Sequence, residues 1–426
     1  MGRTIAFFPE GAYGPTNNCV GIGQVLRARG DRVVFIIEES FAGTLEAQGF
    51  EERLMRLGPP PEQEEAPGQF WKDFVAENAP VFRTPTIEQL TGFIEPTFRA
   101  LFDGASYVDD RLSEIIEEID ADAIVEDNVV AFPALSASSR PWVRIVSCNP
   151  TEIFDPELPP VFSGLPKEDH SDWQTFRAEY DRVLGPLHAE YSEFCQQRGA
   201  PPLAERAFIH ESPYLNFYAF PSEIDYPRSN ALGDLWHNLD STIRSSEEDW
   251  IPPSPLSEGE GSLVYLSLGS LGSADVGLMQ GLIDTLDSSP HRAVVSMGPL
   301  HDQLRLGDRM TGAEFLPQTS VLPHVDLVIT HGGNNTVVES LHNGKPMIVL
   351  PLFWDQHDNA QRIEETGFGR RLDTYRHEPA QLLDAVDELL ADHSLRSRLE
   401  ATSTRLKGRN GVDEAATLIE TVANAG

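Results

Sequence analysis

The chain has 426 residues, 40% of them hydrophobic, which is long enough for two domains that each have their own core. Its formal net charge is −35, from 67 acidic and 32 basic residues. Such a surface repels phosphate backbones and anionic lipid, which excludes nucleic acids and membrane surfaces as partners. An anionic ligand must instead be bound locally, by backbone amides and a few side chains.

The cysteines and the N-terminal residues indicate the cellular compartment of the protein. Cys19, Cys148 and Cys195 form no close pair, so they provide neither a disulfide scaffold nor a CxxC metal site. The apolar run near the N-terminus is far too short for a signal peptide, and no stretch of about 18 apolar residues occurs. We therefore expect a cytoplasmic protein without stable membrane insertion. The sequence carries no signal for an oligomeric state.

Short apolar runs alternate with segments of helical period in the first half of the chain. They predict strands at Thr4–Phe8, Arg32–Ile37, Ala123–Val125 and Trp142–Val146, and a helix through Val20–Arg29. Strands that are apolar throughout and are separated by helices predict a parallel α/β sheet.

The alternation pauses at Ile251–Gly261, where Pro, Ser, Gly and Glu dominate, and then resumes. The second half is predicted to contain strands Leu263–Leu268, Arg292–Ser296, Asp326–Thr330 and Pro346–Leu350, and helices near Val276–Leu286, from about Gly333 and from about Gln356. The fold class is therefore α/β with two units. We place the first domain at residues 1–225, a linker at 226–261 and the second domain at 262–426.

Aromatic residues are concentrated in the first 220 residues, many of them in two long helical insertions. They are either ordinary core residues of longer helices or the lining of an apolar ligand pocket, since aromatic and aliphatic side chains line such pockets. The candidate pocket residues are Phe70, Phe74, Phe82 and Phe93.

Two common nucleotide-binding motifs are absent from the sequence. No GxGxxG follows the first strand, and Gly344-Lys345 is followed by Pro346, so the chain has neither a dinucleotide fingerprint nor a P-loop. Simple NAD-dependent oxidoreductases and NTPases are therefore disfavoured.

The densest functional signal runs from His331 through a diglycine to Glu339, where a strand ends and a helix begins. Free amides at a helix N-terminus, at the positive end of the helix dipole, form an anion site that needs no lysine. The glycines allow a phosphate to approach the backbone, and His331 can donate a hydrogen bond to the same anion. Glu339 lies on the face of Asn335 one turn further along and can accept bonds from a diol such as a ribose.

The pair Thr336 and Glu339 also matches a capping box, in which both side chains only close the start of the helix. Asp355 and Gln356 decide between the two interpretations. They follow the next strand at the same edge of the sheet, where open α/β sheets bind ligands. An acid and an amide at this place can together bind several hydroxyl groups of a sugar, which favours a ligand site.

The segment from about Phe315 to Ala360 resembles the C-terminal donor signature of the nucleotide-sugar glycosyltransferases that include the bacterial macrolide enzymes and the plant secondary-metabolite enzymes. Weaker similarity covers Val264–Ser270 and the first strand-turn-helix. The resemblance implies two facing Rossmann-like domains, the GT-B fold, with a deep cleft between them. It also implies an acceptor site in the first domain, a nucleotide-sugar site in the second, and a last helix, about 411–426, that returns to the first domain.

The same resemblance implies contacts for the individual residues of the signature. It implies Phe315 stacked on the base, Gln318 beside the base and ribose, His331, Gly333, Asn335 and Thr336 at the diphosphate, Glu339 at the ribose hydroxyls, Asp355 and Gln356 at the transferred sugar, and Ser270 near the diphosphate or the sugar.

One element of the family pattern is missing. Pro15 occupies the position of the histidine that deprotonates the acceptor in the family. Asp127 matches the aspartate that accompanies this histidine and is the predicted base, because an unpaired carboxylate facing an apolar cleft has a raised pKa. A role of Asp127 as a helix N-cap stays open. Glu10, on the first turn, is a weaker candidate for the base.

The sequence thus predicts an inverting glycosyltransferase that moves a hexose, with glucose favoured by the resemblance, from a UDP- or TDP-sugar to a small, largely apolar acceptor such as a natural product or a xenobiotic. The nucleotide sugar is a co-substrate, and no cofactor or metal is expected. Two alternatives remain: a sugar-nucleotide epimerase or hydrolase, and a non-catalytic glycosyltransferase-like binding partner. The intact Asp355 and Gln356 argue against the non-catalytic alternative.

Overall fold

Two parallel sheets form the framework of the computed structural model, which describes residues 2–60, 78–245, 248–254, 256–257 and 259–425. The strands of the first sheet are β1 Thr4–Pro9, β2 Arg32–Glu38, β3 Glu51–Met55, β4 Ala123–Asp127, β5 Trp142–Val146, β6 Leu215–Tyr218 and β7 Trp236–Asn238. Their order is β3-β2-β1-β4-β5-β6-β7.

The second sheet follows the same plan. Its strands are β8 Leu263–Ser267, β9 Arg292–Ser296, β10 Met310–Ala313, β11 Leu327–Thr330, β12 Met347–Val349 and β13 Gly369–Arg371. Their order is β10-β9-β8-β11-β12-β13, and each neighbouring pair is parallel. The predicted α/β fold with two Rossmann-like domains is therefore confirmed.

Helices connect these strands and cover the sheets. The α-helices are α1 Tyr13–Ala28, α2 Thr86–Gln89, α3 Glu95–Ile119, α4 Pro133–Ser136, α5 Trp173–Gln197, α6 Gly269–Gly272, α7 Val276–Asp287, α8 Gln318–Val321, α9 Asn334–His342, α10 Gln356–Glu365, α11 Pro379–Ala391, α12 His393–Gly408 and α13 Gly411–Ala425. None of these described helices has the length and hydropathy needed to cross a lipid bilayer.

Burial on both faces explains why several interior strands were predicted from the sequence. The residues of β4, β5 and β8 are buried at every position, so these strands read as continuous apolar runs. The edge strands β3 and β7 are mostly only half-buried and contain charged or polar residues, and the sequence did not predict them. The first sheet consequently extends through β7 into residues 226–261, the range that the sequence assigned to a linker.

The last helix packs against the first domain. Ala415, Ala416 and Ile419 of α13 are fully buried in the same hydrophobic cluster as Cys19 and Ile22 of α1. The C-terminus thereby ties the second domain back to the first.

A buried carboxylate links the segment after β7 to the C-terminal helices. Asp240 is 1% exposed, accepts hydrogen bonds from both Nη atoms of Arg405 at 2.9 Å, and also pairs with Arg409. The backbone N–H and the hydroxyl of Ser222 donate to the same carboxylate at 2.9 and 2.8 Å. Burial alone would raise the pKa of Asp240, but the bonds from Arg405, Ser222 and Arg409 hold that pKa at about 2.

We predict that Asp240→Asn lowers the free energy of unfolding at neutral pH by about 3 kcal/mol, because it leaves two arginines without their buried partner. The folded pKa of about 2 is below the ordinary value of 3.8, so the carboxylate stabilises the fold above that value and loses its effect as the pH falls toward 2. Urea denaturation should show a difference between wild type and variant that shrinks on acidification. The exposed pair Arg370–Glu388 provides the control, since Glu388→Gln should change stability by less than about 1 kcal/mol. A constant difference across pH would contradict the assignment.

Candidate functional site

The strand order of each sheet reverses at one point, and both points face the same cavity. The reversal falls between β1 and β4 in the first sheet and between β8 and β11 in the second. Open α/β sheets bind ligands beyond the carboxyl ends of the strands at such a point. Residues that follow all four strands line one cavity of about 650 Å³ between the domains.

The residues predicted for the donor site come together in this cavity. Those that line it are Phe315, Gln318, His331, Gly333, Asn335, Thr336, Glu339, Asp355 and Gln356. Gly269 also lines it, whereas the side chain of the neighbouring Ser270 lies outside the described structure. Phe315 remains 50% exposed at the cavity, and its ring lies 6.3 Å from that of Tyr13.

Of the four residues predicted to line an acceptor pocket, one lies in the described lining of the cavity. Phe93 lines the cavity, but Phe82 is absent from the described lining and packs behind it. The Phe82 ring lies 4.9 Å from that of Phe93 and 4.8 Å from that of Phe353, so Phe82 is a core residue that supports the wall. Phe70 and Phe74 lie outside the described residues.

The helix N-terminus at Gly333 is not closed by a capping box. Helix α9 begins at Asn334, and no side chain caps it within the described structure. The hydroxyl of Thr336 instead accepts a hydrogen bond from Gln318 Nε2 at 3.3 Å. The amides of the first turn therefore have the arrangement of an anion site, and the capping-box interpretation does not apply.

The His331 ring is held between two glycines. A Cβ atom at Gly269 would lie 2.7 Å from His331 Cε1, and one at Gly333 would lie 2.7 Å from Nε2, so no other residue fits at either position without a shift. Burial lowers the pKa of His331 to about 4, and a hydrogen bond with the Ser267 backbone only partly opposes this effect. The imidazole is therefore neutral at physiological pH and can act as a hydrogen-bond donor but not as a cation.

Glu339 is paired with an arginine that the sequence analysis did not identify. Arg244 donates to Glu339 Oε1 at 3.2 Å, and Gln318 Nε2 donates to Oε2 at 2.6 Å. Burial raises the pKa of Glu339, and these two partners oppose the rise. Among the described residues that line the cavity, Arg244 is the only arginine or lysine. No sequence motif marks it, because it lies between β7 and β8 and reaches the site only through the tertiary fold.

Asp355 and Gln356 are fixed by bonds at the next strand end. Gln356 Oε1 accepts the backbone N–H groups of Leu352 at 3.0 Å and Phe353 at 3.3 Å, which fixes the orientation of its amide group. Asp355 Oδ2 accepts the backbone N–H of Asn149 at 2.9 Å. Burial raises the pKa of Asp355 to about 6, so the carboxylate is mostly ionised at neutral pH.

The two candidate bases, Asp127 and Glu10, lie at different depths relative to the cavity surface. Asp127 ends β4, is 3% exposed and is not part of the cavity lining in the described structure, whereas Glu10 lines the cavity. Burial raises the pKa of Asp127 to about 7 and that of Glu10 to about 8. The next helix after β4 begins only at Pro133, so Asp127 is not a helix N-cap. Asp127 therefore lies below the described surface of the cavity, whereas Glu10 reaches that surface.

Side chains of α9 close the cavity across the domains. Asn334 Nδ2 donates to the carbonyl groups of Ser147 at 2.8 Å and Ala219 at 3.2 Å, and Asn335 Nδ2 donates to the carbonyl of Gly14 at 3.0 Å. The two domains are therefore hydrogen-bonded directly to each other across the cavity.

A second bridge starts from α10. The two carboxylate oxygens of Asp358 accept the backbone N–H groups of Phe162 at 2.7 Å and Gly164 at 2.8 Å. This fixes the first-domain loop that follows β5 against the second domain. Across the described ranges, no group of three His, Cys, Asp or Glu side chains is arranged to hold a metal ion.

Residues 220–420 match the family described as UDP-glucoronosyl and UDP-glucosyl transferase. The chain is 28% identical to the zeaxanthin glucosyltransferase of Pseudescherichia vulneris over 323 residues, which cover 73% of this chain and 76% of that protein. It is 22% identical to the demethyllactenocin mycarosyltransferase of Streptomyces fradiae over 430 residues, which cover 98% and 86%. The crystal structure of the glycotransferase of kitacinnamycin has the same fold, with a TM-score of 0.73 over 99% of both chains at 21% identity.

We predict that Asp358→Ala speeds amide hydrogen exchange at Phe162 and Gly164 and lowers the melting temperature, because both N–H groups lose their buried acceptor. Hydrogen exchange followed by mass spectrometry measures the change on peptides that contain these residues. Glu388→Gln, on the outer face of the second domain, is the matched control and should leave the exchange unaltered. Equal exchange in the Asp358→Ala variant and wild type would show that this bridge does not hold the loop.

Proposed function

Because the chain belongs to the macrolide-type nucleotide-sugar-dependent glycosyltransferases with the GT-B fold, we propose that it moves a hexose, with inversion, from a UDP- or TDP-sugar to a small, largely apolar acceptor. One observation carries the proposal: an uncapped helix N-terminus, His331 and Arg244 share one cavity with an apolar wall. The helix N-terminus, His331 and Arg244 suit the binding of a nucleoside diphosphate. The apolar wall suits an acceptor such as a natural product or a xenobiotic.

The donor half of the cavity supplies what a nucleotide sugar requires. Phe315 offers a ring for the base, and Glu339 offers a carboxylate for the ribose once the ribose hydroxyls replace its present partners. The amides of α9 face the diphosphate, and negative charge grows on that group as the bond to the sugar breaks. Neutral His331 donates one hydrogen bond to it, and Arg244 contributes the positive charge.

The acceptor half is formed mainly by the first domain. Its wall combines Phe93, Leu101 and Val129 with Phe353 and Trp354 from the second domain. An acceptor on this wall approaches the anomeric carbon from the face opposite the diphosphate, and this geometry gives inversion.

The two alternative functions fit the cavity less well. An epimerase or hydrolase acts on the nucleotide sugar alone and needs no apolar wall beside it. A binding-only relative needs no fixed Asp355 and Gln356 at the sugar position. Incubation with a donor panel and a metabolite extract, followed by mass spectrometry, separates the possibilities, since they yield a glycoside, an altered nucleotide sugar or no product.

We predict that His331→Ala lowers kcat/KM by more than tenfold, because it removes a hydrogen-bond donor to the leaving diphosphate. Steady-state kinetics with the best donor from the panel and a melting curve provide the measurement. His301→Ala alters a half-exposed histidine outside the described cavity lining and should behave like wild type. Unchanged turnover of the His331→Ala variant with normal melting would overturn the diphosphate assignment.

For the sugar, we propose glucose, in agreement with the Asp355-Gln356 pair and with the name of the zeaxanthin glucosyltransferase relative. We predict that UDP-glucose or TDP-glucose is preferred over UDP-glucuronate, because the uronate carboxylate would face Asp355. The pKa of Asp355 is about 6, so the preference should grow as the pH rises from 5.5 to 7.5 and the repelling charge forms. Competition assays at both pH values measure it. A preference for the uronate at pH 7.5 would contradict the prediction.

A further inference from the structure

We propose that Glu10 is the catalytic base that removes the proton from the acceptor, in place of the family's histidine and of Asp127. This inference rests on the proposed function, since it names a residue for the same transfer. Its basis is the position of Glu10 in the fold and the state of every other carboxylate near the cavity.

Glu10 stands at the reversal point of the first sheet. It directly follows β1, and its backbone N–H donates to the carbonyl of Asp127 at the end of β4 at 2.9 Å. Its carboxylate accepts a hydrogen bond from the Val129 backbone. Glu10 lines the cavity together with Val129, Phe93 and Cys148 on the apolar acceptor side. Pro15 lines the same cavity from α1 and has no group that can accept a proton.

Under the proposed function, the other two carboxylates of the described cavity lining bind the donor and not the acceptor. Glu339 is held by Arg244 and Gln318, and Asp355 is held by the Asn149 backbone on the sugar side. Glu10 is the remaining carboxylate of the described lining, and it lies on the acceptor side.

The neighbouring acids below the cavity do not reach its described lining. Glu126 forms an ion pair with Arg144 at 2.8 Å, and both side chains are fully buried. Glu152 accepts the indole N–H of Trp354 at 3.0 Å. Together with the buried Asp127, these acids are therefore partners of the wall rather than groups that an acceptor can touch.

The surroundings of Glu10 suit proton abstraction near neutral pH. Burial, together with the charges of Asp127 and Glu38, raises the pKa of Glu10 to about 8. The other titratable groups that face it are Glu152 and Cys148, neither of which carries positive charge. A base whose pKa is near the working pH combines an adequate ionised fraction with a strong affinity for the proton.

The reaction step balances without a further reactant. The ionised Glu10 accepts the proton of the acceptor hydroxyl while an oxygen lone pair forms the bond to the anomeric carbon. The bond from that carbon to the diphosphate oxygen breaks, and its electron pair stays on the nucleoside diphosphate. Glu10 ends protonated and returns the proton to solvent.

The test compares Glu10→Gln with Glu38→Gln and Asp127→Asn in the full-length protein. We expect Glu10→Gln to lower kcat/KM on an alcohol acceptor by at least 100-fold and to remove the rise of the rate with pH. Glu38→Gln and Asp127→Asn should keep substantial activity and move that rise to lower pH, since each removes a negative charge beside Glu10. If Asp127 or Glu38 had only a structural role, its variant would show the same dependence of the rate on pH as wild type.

An acceptor that is already ionised separates base catalysis from a folding defect. With 2,4-dinitrophenol, which is an anion at neutral pH, Glu10→Gln should recover most of the wild-type rate. Calorimetric binding of UDP and TDP should be the same in the Glu10→Gln variant and wild type, which verifies an intact donor site.

The possible outcomes show whether the assignment of Glu10 fails or the proposed glycosyltransferase function fails. Glycoside formation by Glu10→Gln at the wild-type rate on an alcohol, or loss of activity in Asp127→Asn alone, would overturn the assignment of Glu10 and leave the glycosyltransferase function standing. Absence of both nucleotide binding and glycoside product in wild type would overturn the proposed function, and the role of Glu10 with it.

Discussion

The hydrogen bonds from the first turn of α9 to the edge of the first sheet are the interactions on which the rest of the site depends. Asn334 reaches the carbonyls of Ser147 and Ala219, and Asn335 reaches that of Gly14. The same turn carries the free amides that suit an anion. Each domain contributes only half of the cavity, so these hydrogen bonds set the distance between the reacting partners. Small displacements of reacting groups lower the rate of catalysis.

Charge explains how a protein with a net charge of −35 can hold a dianionic ligand. In the proposed function the attraction is local and comes from backbone amides at a helix terminus, one neutral imidazole and one arginine. Arg244 is paired with Glu339, so its positive charge is partly compensated within the cavity. The strongly acidic exterior therefore does not oppose the site, because charges in solvent are screened over about 8 to 10 Å.

On the acceptor side of the cavity, burial favours the protonated form of carboxyl groups. Several carboxyl groups lie close together beneath an apolar wall, and loss of water raises the pKa values of Glu10, Asp127 and Glu152 to between about 7 and about 8. Carboxylic acids in this range can do the work that a histidine does elsewhere. The loss of the histidine at Pro15 is thus compatible with base catalysis, because the first strand ends in a carboxylate at the same edge of the sheet.

The sequence alone was sufficient to predict the α/β class, most of the interior strands and the residues from Phe315 to Gln356 that line the cavity, whose role as a donor site stays a prediction. These features follow from local rules: buried strands are continuous apolar runs, and the signature is contiguous along one sheet edge. The tertiary structure alone decided the edge strands, the pairing of Arg244 with Glu339, and the depths of Glu10 and Asp127 relative to the cavity. Those properties depend on contacts between residues that are distant in sequence, and on whether water reaches a side chain, which no local pattern of residues encodes.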